Sequence, residues 1–154
     1  MRDGFEAVVT ALWESLGLGR PRITGEGTAT LRIDGRRVGL APSPDQGLVV
    51  VTTPVGELAA DPHRREEQLR RLLLDGLGTV MANRAALRLR GDDVEAVAAA
   101  PARVSAVPAL RGRIEDLLHV ADIHSGTLSP GAGGPAATRS SALLCNDENV
   151  IFRL

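Results

Sequence analysis

The sequence has 154 residues, of which 44% are hydrophobic, so it is long and apolar enough to bury the core of one domain. The formal net charge is −1 and aromatic residues make up 2%, which gives no reason to expect binding to nucleic acid. No apolar run approaches the roughly 18 residues of a membrane span, and the acidic start of the chain does not resemble a signal peptide. We therefore expect a cytoplasmic protein without membrane insertion, in a reducing compartment that suits its single cysteine, Cys145.

The first predicted element is an amphipathic helix over residues 3–17. Its apolar residues Phe5, Val9 and Leu12 recur at helical spacing and form one stripe, and Trp13 lies at the edge of that stripe. The glycines that follow the stripe end the helix.

A meander of three strands is predicted next. In Thr28–Asp34 apolar and polar residues alternate, as they do in a half-buried strand. The pair Asp34-Gly35 favours a tight hairpin turn, because both positions of such a turn require positive φ. The stretches Arg36–Ala41 and Leu48–Thr53 complete the meander, the last of them rich in β-branched residues.

A long helix is predicted over His63–Asn83, with Asp61 and Pro62 as its start signal. The helix is apolar over a wider arc than packing against one sheet requires, which favours an interface shared with a partner. Gly76 and Gly78 each cost about 1 kcal/mol relative to alanine inside a helix. Such glycines are tolerated more easily where another backbone packs close.

The remaining elements are two strands, over residues 87–90 and 94–99, and a helix over Val107–His124, although the alanines of the second strand suit a helix equally well. The order α-β-β-β-α-β-β-α indicates an α+β fold, with a twisted antiparallel sheet packed by helices. We expect a domain over residues 1–124 and a flexible tail rich in Gly, Pro, Ser and Ala over residues 125–154. The last thirteen residues turn apolar again, which suits a short strand or a docking peptide.

Few residues suggest catalysis. Glu115 and His119 are four apart on the last helix and share a face, which suits an acid–base pair or half a metal site, but equally a solvated helix surface. A zinc site needs three or four ligands, and no second His/Cys pair is present. Because the chain has no lysine, Schiff-base chemistry and the lysine-dependent phosphate loop are excluded. We expect no catalytic activity, no metal and no cofactor.

The order and lengths of these elements resemble the Tir-chaperone family, the class I chaperones of bacterial type III secretion. The best local matches are the amphipathic opening Phe5–Leu18, the three-stranded stretch Thr28–Thr53 and the Leu-rich helix that ends in Met81-Ala82-Asn83. The resemblance covers about residues 3–124.

The resemblance implies a non-enzymatic cytoplasmic homodimer that binds the non-globular N-terminal segment of one or more secreted effector proteins and keeps them soluble and competent for export. The second helix would build the dimer interface, and the first helix with the three-stranded face would bind the cargo. The dimer interface would then consist of Leu73, Leu77, Val80 and Met81, and the cargo-binding residues would be Phe5, Val9, Leu12, Trp13, Leu31, Ile33, Val49 and Val51.

Two other functions compete with this interpretation. A regulatory or structural interaction domain of the same fold would hold a folded partner instead of an unfolded segment. A small-molecule-binding or enzymatic domain would need polar groups that converge in a pocket, and the sequence shows no such set.

Overall fold

The computed structural model describes residues 2–45 and 47–128. The helices are α1 (Arg2–Ser15), α2 (Pro62–Asn83) and α3 (Val107–Ser125), and a 3₁₀ turn over Val104–Ala106 precedes α3. The strands are β1 (Ala29–Ile33), β2 (Arg36–Pro42), β3 (Leu48–Glu57), β4 (Ala86–Arg90) and β5 (Asp93–Pro101). The predicted α+β fold and its element order are confirmed.

The five strands form one antiparallel sheet in the order β1-β2-β3-β5-β4. β1 and β2 are joined by the predicted tight turn, in which Asp34 and Gly35 have φ values of 50° and 81°. The order places β1 at one edge of the sheet and β4 at the other, and an isolated bridge between Ile23 and Ala29 covers only the start of β1. Both ends of the sheet therefore carry an edge strand.

The alanine-rich segment 94–99 is a strand because it is central in the sheet, between β3 and β4. Along β5 the residues Val94, Ala96, Ala98 and Ala100 are buried, and the residues between them are more exposed. Alanine side chains are short, so α3 can pack close against this strand, and the two elements are in contact. Tertiary packing here overrides the helical preference of alanine.

One core lies between the sheet and the helices α1 and α3. The apolar stripe of α1 faces this core, where Val9 and Leu12 are fully buried. From α3, Leu110, Ile114 and Leu117 enter the same core. No helix among the described residues is both long and apolar enough to cross a membrane.

The folded unit extends beyond the predicted boundary at residue 124. α3 continues to Ser125, and the turn that follows places Leu128 in the core with 3% of its surface exposed. Leu128 lies against Gly56, where an added Cβ would come within 2.9 Å of the Leu128 Cβ, so only glycine fits beside it. The rest of the predicted tail, residues 129–154, lies outside the described residues.

Leu128→Ala should lower the free energy of unfolding by about 2–4 kcal/mol, because it removes buried methyl groups and leaves a cavity against Gly56. The matched control is Ile123→Ala, whose side chain is 52% exposed and whose loss should stay within about 0.5 kcal/mol. Urea denaturation measures both variants. Equal small losses in the two would contradict the placement of Leu128 in the core.

Candidate functional site

The helix α2 faces its own protomer mainly with polar residues. Its buried residues are Gln68, Leu72 and Thr79. The Gln68 side chain accepts a hydrogen bond from the Ala59 N–H at 2.8 Å and donates one to the Thr127 carbonyl at 3.2 Å. Gln68 therefore ties α2 both to the segment that precedes it and to the turn that follows α3.

Thr79 forms the second polar anchor of α2. Its Oγ1 lies 3.0 Å from Nε2 of His124, which is 1% exposed, and it donates a hydrogen bond to the Asp75 carbonyl at 3.0 Å. A hydroxyl carries one proton, so when Thr79 donates to Asp75 it must accept from His124. In this arrangement Nε2 of His124 carries a proton and donates it to Thr79.

The opposite face of α2 is apolar and exposed. All four residues predicted for a dimer interface lie there, and Leu73, Leu77 and Met81 are each more than 70% exposed. Leu74, which the sequence analysis did not single out, is 75% exposed beside them. We call these residues the outer strip: Leu73, Leu74, Leu77, Val80 and Met81. Burial against a partner remains a prediction, but nothing in residues 2–45 and 47–128 covers the strip.

Gly76 and Gly78 also face open space among the described residues. A Cβ added at either residue would meet nothing within 4 Å, and neither residue needs positive φ. The close backbone that we expected from the sequence is therefore absent from the described part of the chain. Nothing in the described part of the chain therefore offsets the conformational cost of these glycines.

The eight residues predicted to bind cargo are all buried in the core, with 0% to 7% of their surface exposed. Their side chains therefore do not form an open surface in the protomer, and their contact with cargo stays a prediction. The physical reason is that these residues belong to one core, in which α1 packs against α3 and α3 packs against β3 and β5. The residues concerned are Phe5, Val9, Leu12, Trp13, Leu31, Ile33, Val49 and Val51.

The structure does contain a shallow apolar groove at the β1 edge of the sheet. Leu31 and Ile33 line it, so two of the eight predicted residues contribute to a surface despite their low exposure. We call this the edge groove. Its other lining residues come from the end of α1, from β1 and from α3: Leu16, Leu18, Arg32, Arg111, Ile114 and Glu115.

The edge groove was missed in part because it is made of residues from three separate segments. Leu16 belongs to the predicted stripe of α1, but Leu18 follows the helix, where a periodic pattern carries no information. Its N–H donates to the Trp13 carbonyl at 2.9 Å, and this bond folds the chain back beside the end of the helix. No sequence rule places that turn next to Ile114 of α3.

The other residues considered for chemistry do not form a site. His119 is exposed, and its partner in the sequence argument, Glu115, lies at the rim of the edge groove. Among the described residues, no three His, Cys, Asp or Glu side chains are grouped so that they could hold a metal ion. Cys145 lies outside the described residues.

No protein-family model and no curated protein sequence matches this chain. Solved structures do match it. A chain of the HopA1–SchA chaperone–effector complex is 16% identical, with a TM-score of 0.66 over 81% of this chain and 95% of that chain. A chain of the ExsC–ExsE complex is 14% identical, with a TM-score of 0.64 over 86% of this chain and 98% of that chain.

A chain from the complex of the Yersinia pestis type III secretion chaperone SycH with a stable fragment of YscM2 is 18% identical. The TM-score is 0.56, over 81% of this chain and 99% of that chain. The fold is therefore that of the type III secretion chaperones, as the resemblance in the sequence implied. At these identities the likeness establishes the fold, and function has to be argued from the surfaces.

Thr79→Val should lower the free energy of unfolding by about 1–3 kcal/mol, because it leaves the buried Nε2–H of His124 without an acceptor. Thr10→Val is the matched control, since Thr10 is an exposed threonine on α1 and its hydroxyl supports no buried group. Both changes are followed by urea denaturation. If Thr79→Val is as stable as the original protein, the Thr79–His124 bond does not anchor α2.

Proposed function

We propose that this chain is a type III secretion chaperone that binds the non-globular N-terminal segment of one or more effector proteins and keeps them soluble and competent for export. The observation that carries the proposal is the edge groove, an apolar groove beside a sheet edge, on a fold shared with chaperone–effector complexes. Holding an unfolded segment requires no bond to be made or broken, so we propose no catalytic activity. The site of action would be the cytoplasm, where the effector is made.

The groove and the edge strand supply two kinds of interaction. An extended segment can pair its backbone with β1, which demands little of the cargo sequence, and place alternate side chains in the groove. Each apolar side chain that becomes buried contributes about 1.5–3 kcal/mol before the cost of ordering the segment. The groove is shallow and lies beside the edge strand β1, so it suits an extended segment that adds to the sheet. This favours a non-globular segment over a folded partner.

We also propose that a second copy of the chain covers the outer strip of α2. In an isologous dimer the outer strip of one subunit packs against the same strip of the other, so both strips are buried in one interface. Gly76 and Gly78 would allow the partner backbone to approach α2 closely. Leu89 adds to this surface, because it is 48% exposed and pairs with the buried Val94, which places it on the helix-covered face of the sheet.

Leu77→Asp should convert the dimer into a monomer. Leu77 is 71% exposed in the protomer, so the aspartate stays solvated in the monomer but would be buried against apolar side chains in the dimer. We expect the dimer dissociation constant to rise by more than about 100-fold, a change of roughly 3 kcal/mol. Light scattering at micromolar concentration should give twice the 16.2 kDa chain mass for the original protein and the chain mass for the variant.

The matched control for the dimer is Val104→Asp, which places the same charge at an apolar residue that is 52% exposed and distant in sequence from α2. This variant should remain dimeric. A monomeric original protein at micromolar concentration would contradict the proposal, and the outer strip would then belong to a different partner.

Leu18→Glu should weaken binding of a cargo segment at least tenfold, because it places a charge in the apolar groove that the segment fills. Leu18 is only half-buried, so the substitution spares the core. The probe is a fluorescent peptide of the N-terminal segment of a type III secreted protein from the organism that encodes this chain, measured by anisotropy. Val104→Glu is the control, and it should bind the peptide like the original protein.

The same titration separates the two competing functions. If the N-terminal peptide does not bind but the folded remainder of that secreted protein does, the chain is an interaction domain for a folded partner and the chaperone proposal is wrong. Equal binding by Leu18→Glu and the original protein would place the cargo site away from the edge groove.

A further inference from the structure

We propose that the last thirteen residues of this chain, 142–154, dock in the edge groove of the same protomer when no cargo is present. The chain would then carry its own competitor for the groove. The docking is argued from the groove and the sequence of the segment. Only its effect on cargo binding rests on the function proposed above.

The edge groove needs an apolar occupant. Five of the eight side chains that line it are apolar, and two of them, Leu16 and Leu18, are only partly covered by the described part of the chain. An open apolar groove beside an edge strand is a site of unwanted association. A segment of the same chain that fills the groove would remove that risk until cargo arrives.

The end of the chain has the pattern that such a groove selects. In an extended segment, Val150, Phe152 and Leu154 would lie on one side, with Ile151 and Arg153 on the other. The chain has three aromatic residues, and the two that precede the tail, Phe5 and Trp13, are buried. Phe152 is therefore the aromatic side chain that remains to fill an apolar site.

The charges of the segment and the groove are complementary. The pair Asp147-Glu148 precedes the apolar run, and Arg153 lies within it. The groove carries two cations and one anion, Arg32 of β1 with Arg111 and Glu115 of α3. Opposite charges at the rim favour one occupant and one direction of binding over others, although such exposed pairs add little affinity.

The connection is long enough for this docking. The last described residue, Leu128, follows the end of α3, and Ile114 of the groove lies about 17 Å back along that helix from Ser125. Residues 129–141 are thirteen residues rich in Gly, Pro, Ala and Ser. An unstructured linker of that length would have a root-mean-square span of about 20 Å, which is enough to return the segment to the groove.

The single cysteine offers a direct test in the full chain. Cys145 lies in the segment, so a nitroxide spin label attached to it needs no substitution in the fold. We expect the label to broaden the amide NMR resonances of Thr30–Ile33 and of α3 around Ile114. Phe152→Asp should restore those resonances, because it places a charge on the side of the segment that faces the groove. Ile151→Asp, which places the same charge on the other side, should leave them broadened.

Three results would overturn the docking: sharp β1 resonances in the labelled original protein, broadening that survives Phe152→Asp, or broadening that Ile151→Asp abolishes equally. A mixed sample settles which chain provides the segment. Isotope-labelled chains without the nitroxide are combined with unlabelled chains that carry it. Broadening in the mixed sample as strong as within one chain would show that another copy fills the groove, and docking within the protomer would be wrong.

Competition with cargo is a separate measurement. If the segment fills nine-tenths of the grooves, Phe152→Asp should tighten binding of the fluorescent cargo peptide about tenfold, and Ile151→Asp should leave it unchanged. Broadening without any change in peptide affinity would keep the docking and show that cargo binds elsewhere. Sharp resonances with Leu18-dependent peptide binding would refute the docking and leave the chaperone proposal intact.

Discussion

The arrangement of surfaces on this protein depends on how α2 is anchored. The helix meets its own protomer through Gln68 and Thr79, whose hydrogen bonds to Ala59, Thr127 and His124 exist at one rotation of the helix only. A rotation that buried the outer strip would leave these buried polar groups without hydrogen-bond partners. Each lost partner costs about 1–3 kcal/mol. Hydrogen bonds are directional, whereas apolar packing is not, so the polar anchors hold the apolar face of α2 toward solvent.

The sheet forms the rest of the scaffold, and its apolar side chains are buried within the protomer. Val49 and Val51 of the central strand β3 are fully covered, and β5 contributes alanines on which α3 rests. The core thereby closes without any contribution from the outer strip. A protein that binds partners through apolar surfaces needs a core and a binding surface made of different side chains. If the same side chains served both, the folded state would lose stability each time a partner dissociated.

The sequence was sufficient for the fold and insufficient for the surfaces, for identifiable reasons. Alternation in Thr28–Asp34 and the pair Asp34-Gly35 predicted β1, its turn and its partner, because local periodicity and turn chemistry depend on neighbouring residues alone. The same periodicity shows that α1 has an apolar stripe but not what covers it. Leu12 and its neighbours were therefore assigned to cargo, whereas they lie in the core of the same protomer.

The α2 helix shows the opposite outcome. Its wide apolar arc was visible in the sequence, and the four predicted residues do lie on the exposed side. What the pattern could not show is that Gln68 and Thr79 face inward, since the usual rule places polar residues toward solvent. Leu128 was missed for a similar reason, because it follows a Gly-Thr turn that has the composition of a tail, and its contact with Gly56 joins residues that are far apart in sequence.

The two candidate surfaces lie at opposite ends of one sheet, and this geometry limits how an assembly could work. The edge groove borders β1, and the outer strip belongs to the helix that contacts β4, with three strands between these edges. At about 4.8 Å per strand the edges are roughly 19 Å apart, so a second copy on the strip leaves the groove open.

In the proposed dimer the two grooves would lie at the outer ends, at least twice that distance apart. An extended chain covers about 3.3 Å per residue, so one cargo segment would need more than about a dozen residues to reach both grooves. A shorter segment would occupy one groove and leave the other to a second cargo molecule or to the chain's own terminal segment.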